Sequence, residues 1–420
     1  MGRTKHPDVR DRRLIAVAAV LMQLALGGVH VWSVFRDPLV EAFGWTISEV
    51  TLAYTITNLT YGFIAVVGGL WVGRSGPRVV GVTAGLLYGL GVFLVSCADA
   101  GLWSLYLSYG LVAGLGFGLA FMVPVSTLIR WFPDHRGMAT GLSVAGVGAG
   151  GLLAAPIATF LIQFAGVRAT FAILGAIYVV MVAGAALLLR NPPPGYCPEG
   201  WQPLADADRG RRDYTLGEAL RTWQWYAIWG LLFLAGTAGR GLLSQAAPMA
   251  QELTGVGVLA AGGMVGLLAV ANGGGRFVWG WLSDWLGRRH TFLAFFVIQA
   301  TAFALLPLIG SLELFTVLAF AVVLCFGGSL GTTPAFAADY YGPKHVGAIY
   351  GLLHSAGGFG GVVGPLLLAT TRETTGSYTV ALWAIAGLMV ASIALPGLMH
   401  PPPALDDGPS SARDGVPALT

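Results

Sequence analysis

Four basic side chains stand inside long apolar runs of this sequence: Arg240 in LAGTAGRGLLSQ, Arg276 in ANGGGRFVWG, His30 in GGVHVWS and His354 in GLLHSAGG. An ionised group deep in a bilayer costs about 2.5–3.5 kcal/mol on insertion scales and marks a candidate functional site. The acids are placed differently. None of the twenty Asp and Glu falls well inside an apolar run; Asp284 and Asp339 stand at run ends, and Asp99, Glu252 and Glu313 flank connections. A buried guanidinium needs a counter-charge, and here the chain does not supply one. These residues therefore point to an anionic ligand, and a planar guanidinium suits a carboxylate through two parallel hydrogen bonds.

Arg276 is the leading candidate. It lies eight residues before Asp284, roughly 12 Å along a helix, and Asn272 precedes it by one turn on the same face. The plain alternative is an arginine that snorkels to the interface. Arg240 reads equally as a second ligand cation or as a residue snorkelling outward. His30 faces a cavity or simply packs. His354 is a candidate for a coupling proton, because imidazole titrates near neutral pH; a helix-packing histidine explains it as well. Trp32, Tyr61, Phe117, Phe121 and Phe326 are candidate lining residues, each also explained by core packing or lipid contact.

The elements that hold these residues follow from composition. The chain has 420 residues, 55% hydrophobic and 10% charged, where a soluble domain carries about 25% charged residues. Mean hydropathy is +0.73. An all-α polytopic membrane protein is the class that fits, with about 20 apolar residues per span. Twelve spans are expected, at 14–36, 48–72, 79–98, 101–128, 139–164, 168–189, 223–247, 257–282, 291–310, 313–336, 347–370 and 378–399. The single long connection, 190–222, divides them six and six. Residues 1–13 form a basic N-terminal segment, and the proline-rich 400–420 reads as a disordered tail. Eighteen of the 23 Lys and Arg fall on the side that holds both termini, three (Arg36, Arg168, Arg372) on the other, and two within spans. That bias puts both termini in the cytoplasm.

The halves repeat. GLWVGRSGPR at 69–78 precedes GWLSDWLGRR at 280–289 by 211 residues, and Gly118, Pro124, Gly137 and Gly141 fall on Gly328, Pro334, Gly347 and Gly351 at an offset of 210. Parallel six-helix repeats of this kind place a ligand site at their interface, near the bilayer midplane. Asp284 beside Arg288 and Arg289 suits a charge cluster that latches helices at the cytoplasmic face. Gly69, Gly76 and Arg78 match Gly280, Gly287 and Arg289, and Arg74 falls on Trp285, but Gly73 stands where the carboxylate would be and Pro77 where a basic residue would be. A topology anchor without a gating role is the simpler alternative.

These segments carry a family resemblance. GWLSDWLGRR matches the G-x-x-x-D-[RK]-x-G-[RK]-[RK] loop motif of the major facilitator superfamily, with Trp285 in place of the first basic residue. GGVHVWSVFRDPL at 27–39 and RWFPDHRGMATGLSVAGVGAG at 130–150 resemble the oxalate:formate antiporter and monocarboxylate transporter group. The resemblance spans residues 14–399. It implies two pseudo-symmetric six-helix bundles, 14–189 and 223–399, that alternate access to a central site, with the eighth-helix arginine, Arg276, binding a substrate carboxylate. Where animal monocarboxylate transporters carry an aspartate, this chain has Asn272, which takes up no proton. Where the oxalate group has a lysine near the eleventh-helix site, this chain has Ser355-Ala356-Gly357-Gly358.

The expected activity is secondary active transport of small monocarboxylates such as lactate, pyruvate or formate, by proton symport or anion exchange, in the cell membrane and as a monomer. Oxalate or dicarboxylate exchange with formate is the alternative; it requires a clamp from Arg276 with Arg240 or His354. Drug or sugar efflux fits less well with retained arginines and absent acids. An enzyme is not expected, since the seven histidines are scattered and Cys97, Cys197 and Cys325 form no metal-ligand pattern. GVGAGG at 146–151 lies in a membrane run without a preceding strand, so no nucleotide, other cofactor or nucleic acid is expected.

Overall fold

The computed structural model describes residues 9–193, 195–198 and 213–403, leaving aside a few helix side chains, His30 and Asp37 among them. The expectations for the extreme N-terminus, for most of the central connection and for the tail beyond 403 lie outside the described residues, as does the role of the His30 side chain.

Every regular element among the described residues is helical. They run α1 Val9–Leu26, α2 Trp32–Phe43, α3 Ile47–Leu94, α4 Leu102–Leu105, α5 Gly114–Trp131, α6 Arg136–Leu188, α7 Leu216–Ala219, α8 Trp223–Thr254, α9 Val258–Leu286, α10 Arg288–Leu305, α11 Leu312–Tyr341, α12 Val346–Leu353, α13 Ser355–Thr375, α14 Thr379–Ser392 and α15 Ala394–Leu398. A π-helical stretch, Tyr106–Ala113, leads into α5. Local chemistry starts several of these helices. Thr46 and Glu49 form a reciprocal capping box on α3, with the Thr46 backbone N–H donating to Glu49 at 2.8 Å. Thr215 and Glu218 do the same for the short α7.

Among the described residues, nine helical stretches are long and apolar enough to cross a membrane, by length and composition. Two of them, 46 and 53 residues long, are roughly twice what one crossing needs. Each bends at a glycine held at positive φ: Gly76 in α3 (φ 80°) and Gly166 in α6 (φ 80°). These breaks recur along the chain. Gly287, 211 residues after Gly76, has φ 79°, and Gly376, 210 after Gly166, has φ 76°. A left-handed residue there turns the chain back without a longer loop, and only glycine adopts it without strain. α9 is not among the nine. The sequence places a span there, at 257–282, and the structure supplies a 29-residue helix.

The helices pack in close pairs: α3 against α5 and α6, α8 against α13, and α9 against α11. Contacts of α6 with α9 and of α3 with α12 join elements from before and after the central connection. Small residues permit these approaches. Gly137 abuts Gly280, and Gly69 abuts the Gly347–Ala348 backbone. Large apolar side chains face outward, Phe63 at 79% exposed, Phe164 at 78% and Trp103 at 75%, as a surface solvated by lipid rather than water requires.

Candidate functional site

Arg276 projects from α9 into the join between the two sets of helices. A Cβ at Gly141 of α6 or at Gly331 of α11 would run into the Arg276 backbone, so two glycines let α9 sit hard against both neighbours. The Arg276 Nη1 donates to the Val144 carbonyl of α6 at 3.0 Å. Its Nε is buried without a partner, and so is Oδ1 of Asn272, one turn away. A buried guanidinium holding one neutral carbonyl retains most of its donor capacity.

Arg240 of α8 arrives from the other side. Its Cζ lies 5.8 Å from the centre of the Phe326 ring, and its guanidinium lies beside Gly357 and Gly361 of α13. Arg240 and Arg276 are close enough to interact electrostatically, and Tyr61 feels both. The Arg240 side chain thus lies between α11 and α13.

His354 sits at the break between α12 and α13. Its ring meets Tyr61 edge-on at 5.5 Å and Phe121 at 5.4 Å, and Nδ1 lies 3.3 Å from the Tyr350 hydroxyl. Both arginines act electrostatically on it. Phe117 backs Tyr61 at 4.8 Å. The structure thus gathers Arg276, Asn272, Arg240, His354, Tyr61 and Phe121 in one region. It does not bring Trp32 there: that ring packs on Tyr109 at 4.3 Å and near Tyr54 at 6.2 Å, with its Nε1 buried and unpartnered. Tyr350 is a member that sequence reasoning missed. Its signal was present, four residues before His354 and so on the same helical face.

Among the described residues, neither Arg240 nor Arg276 forms an ion pair. The carboxylates are used elsewhere. Asp284 accepts from the backbone N–H groups of Gly137 and Met138, 2.8 Å each, so an acid on α9 caps the N-terminus of α6, where the helix dipole favours it. Arg288 bonds Asp284 at 2.8 Å and Asp339 at 2.7 Å, and Arg136 reaches Asp339 at 2.9 Å. Arg288 also donates to Ser283. The Thr140 hydroxyl donates to the Gly331 carbonyl at 3.0 Å, and Arg130 to the Lys344 carbonyl at 2.8 Å. The motif end of the molecule is therefore closed by a polar network across the join. Arg289 is not part of it; it donates to the Pro396 and Gly397 carbonyls. In the first motif copy Gly69 makes the close contact described above, while Arg74 and Arg78 are exposed on either side of the Gly76 break. Asp339 and Arg136 were not assigned from sequence, because their pairing depends on which helix ends meet.

Comparison with known proteins agrees with this architecture. A family model described as Major Facilitator Superfamily matches residues 15–365 and 275–419. The oxalate:formate antiporter of Oxalobacter formigenes is 28% identical over 399 residues, covering 93% of this chain and 93% of that protein. Human monocarboxylate transporter 11 is 31% identical over 401 residues, 92% of this chain and 82% of that one. The crystal structure of the E. coli fucose:proton symporter FucP superposes with a TM-score of 0.70 at 15% identity, over 93% of this chain and 98% of that chain, a likeness of fold. A multi-pass helical protein with the doubled loop motif, matched along most of its length by that model, belongs to the major facilitator superfamily, among the transporters similar to the oxalate:formate antiporter and the monocarboxylate transporters.

Proposed function

We propose that this protein is a secondary active carrier of small organic carboxylates, built as two six-helix bundles, 14–189 and 223–399, with both termini in the cytoplasm. Twelve crossings follow if α3 and α6 each cross twice at their glycine breaks and the 29-residue α9 crosses as well. The observation that carries the reading is the meeting of Arg276 and Arg240, neither ion-paired among the described residues, where helices of the two bundles join.

The geometry supplies a sequence of events. With the motif end closed, a carboxylate enters from the opposite face and is held by Arg276, with Arg240 close by. The anion relieves the repulsion between two like charges in a low-dielectric setting. Access alternates when the Asp284 cap on α6 and the Asp339 pairs release and the bundles rock. Once the anion leaves, the two guanidinium groups again lack a counter-charge. Reorienting without cargo is therefore unfavourable, which favours exchange of one anion for another over net movement; proton symport through His354 is the competing coupling. A second reading draws on the same pair: Arg240 supplies the second cation that the eleventh-helix segment lacks, so a dicarboxylate such as oxalate is held at both ends.

Uptake of labelled lactate, formate and oxalate into proteoliposomes tests these readings. Strict dependence on internal anion supports exchange, and stimulation by an inside-alkaline gradient supports symport. Transport of none of the three, or full transport by Arg276→Ala, removes the assignment.

A further inference from the structure

We infer that Gly361 is the positioning residue for Arg240: the missing side chain at 361 leaves the space on α13 in which the arginine lies. Glycines bring α8 and α13 into backbone contact. A Cβ at Gly360 would stand 2.6 Å from the Phe233 carbonyl oxygen and 2.8 Å from the Thr237 nitrogen, and one at Gly364 would stand 3.0 Å from the Gly241 nitrogen. Arg240 is next to Gly241, so its long stem starts at the surface of α13 and must run along it. On its other flank Gly239 is pressed against the Phe326 side chain of α11.

Three neighbouring glycines of α13 then have different consequences. A Cβ at Gly361 would lie 2.7 Å from Nη1 and 2.8 Å from Cδ of Arg240, and the third nearest atom, at 3.4 Å, is Cζ of the same side chain. One turn earlier, a Cβ at Gly357 would be at an ordinary 3.8 Å from Nη2, and one at Gly358 would meet nothing within 4 Å. At 360 and 364 the obstruction is backbone, which cannot move cheaply in a packed interior. At 361 it is the end of a flexible side chain. An alanine there leaves the helix pair in place and turns the guanidinium away from its station beside Phe326 and Arg276. The inference rests on the reading that Arg240 holds substrate.

A double-variant cycle on the full-length protein tests it, with affinity for oxalate, formate and lactate read as KM in proteoliposomes and as ligand-induced rise in Tm in detergent. Arg240→Gln weakens affinity about tenfold or more, one lost charge-assisted contact. Gly361→Ala weakens it several-fold while the Tm without ligand stays within a degree or two, and Gly358→Ala changes neither. Combined with Arg240→Gln, Gly361→Ala adds nothing further. An unchanged affinity in Gly361→Ala, or an equal loss with Arg240 already replaced, overturns the inference, since a packing defect persists in both backgrounds. No effect of Arg240→Gln for any of the three anions overturns the substrate reading instead.

Discussion

At the scale of single residues, the two arginines differ in how they are held. Arg276 has a fixed hydrogen bond to the Val144 carbonyl and a helix pressed on both sides; among the described residues Arg240 has a ring and a glycine surface. Arg276→Ala is therefore expected to raise KM for a transported carboxylate by roughly 10- to 100-fold, the range of one or two charge-assisted hydrogen bonds. Arg276→Lys recovers only part of the loss, because an ammonium keeps the charge and loses the fork. Uptake kinetics in proteoliposomes check both. The sequence shows that Arg276, Arg240 and His354 are buried and that no acid accompanies them, since a charge in an apolar run is legible without coordinates. It does not show which faces they share, because helix rotation is set by packing and not by composition.

At the scale of elements, the carboxylate at the end of α9 makes a cap across the join. Asp284→Asn keeps an acceptor for one α6 N–H but loses the charge that holds Arg288 and the second N–H. The motif end is then expected to open more often. Labelling of a Thr140→Cys variant, in a background lacking Cys97, Cys197 and Cys325, by an impermeant maleimide from that face checks this. It should rise several-fold on adding Asp284→Asn, and no change would refute the latch. The connection between α11 and α12 carries a pH response of its own. Burial lowers the His345 imidazole below its ordinary value, and adjacent Lys344 pushes the same way. A histidine with a depressed value in the fold binds its proton more readily when unfolded, so its contribution is present above about pH 6.5 and is lost as pH falls further. Tm measured in detergent from pH 7.5 to 5.5 should decline less steeply in His345→Gln than in the parent. The glycine breaks at 76 and 287 are legible as a repeated motif in the sequence, but the positive φ that turns the chain there is not, since hydropathy does not register φ.

At the scale of the whole molecule, the exchange reading proposed above makes the unloaded carrier, with its paired cations, the state that resists reorientation. Uptake is expected to be several-fold faster into vesicles preloaded with anion than into empty ones, and Arg240→Gln should narrow that ratio by removing one of the two like charges and with it their mutual repulsion. Equal rates in loaded and empty vesicles would exclude exchange. The charge that α9 carries has a consequence for biogenesis as well. Arg276 adds about 2.5–3.5 kcal/mol to the insertion of this segment when it leaves the translocon alone. It is expected to wait at the channel for α11, whose backbone at Leu324 its Gly275 is shaped to meet. The helix that carries the proposed cargo arginine is thus expected to depend on its neighbours for membrane entry, and a topology reporter fused directly after α9 should record a mixed orientation that resolves once α10 and α11 are included.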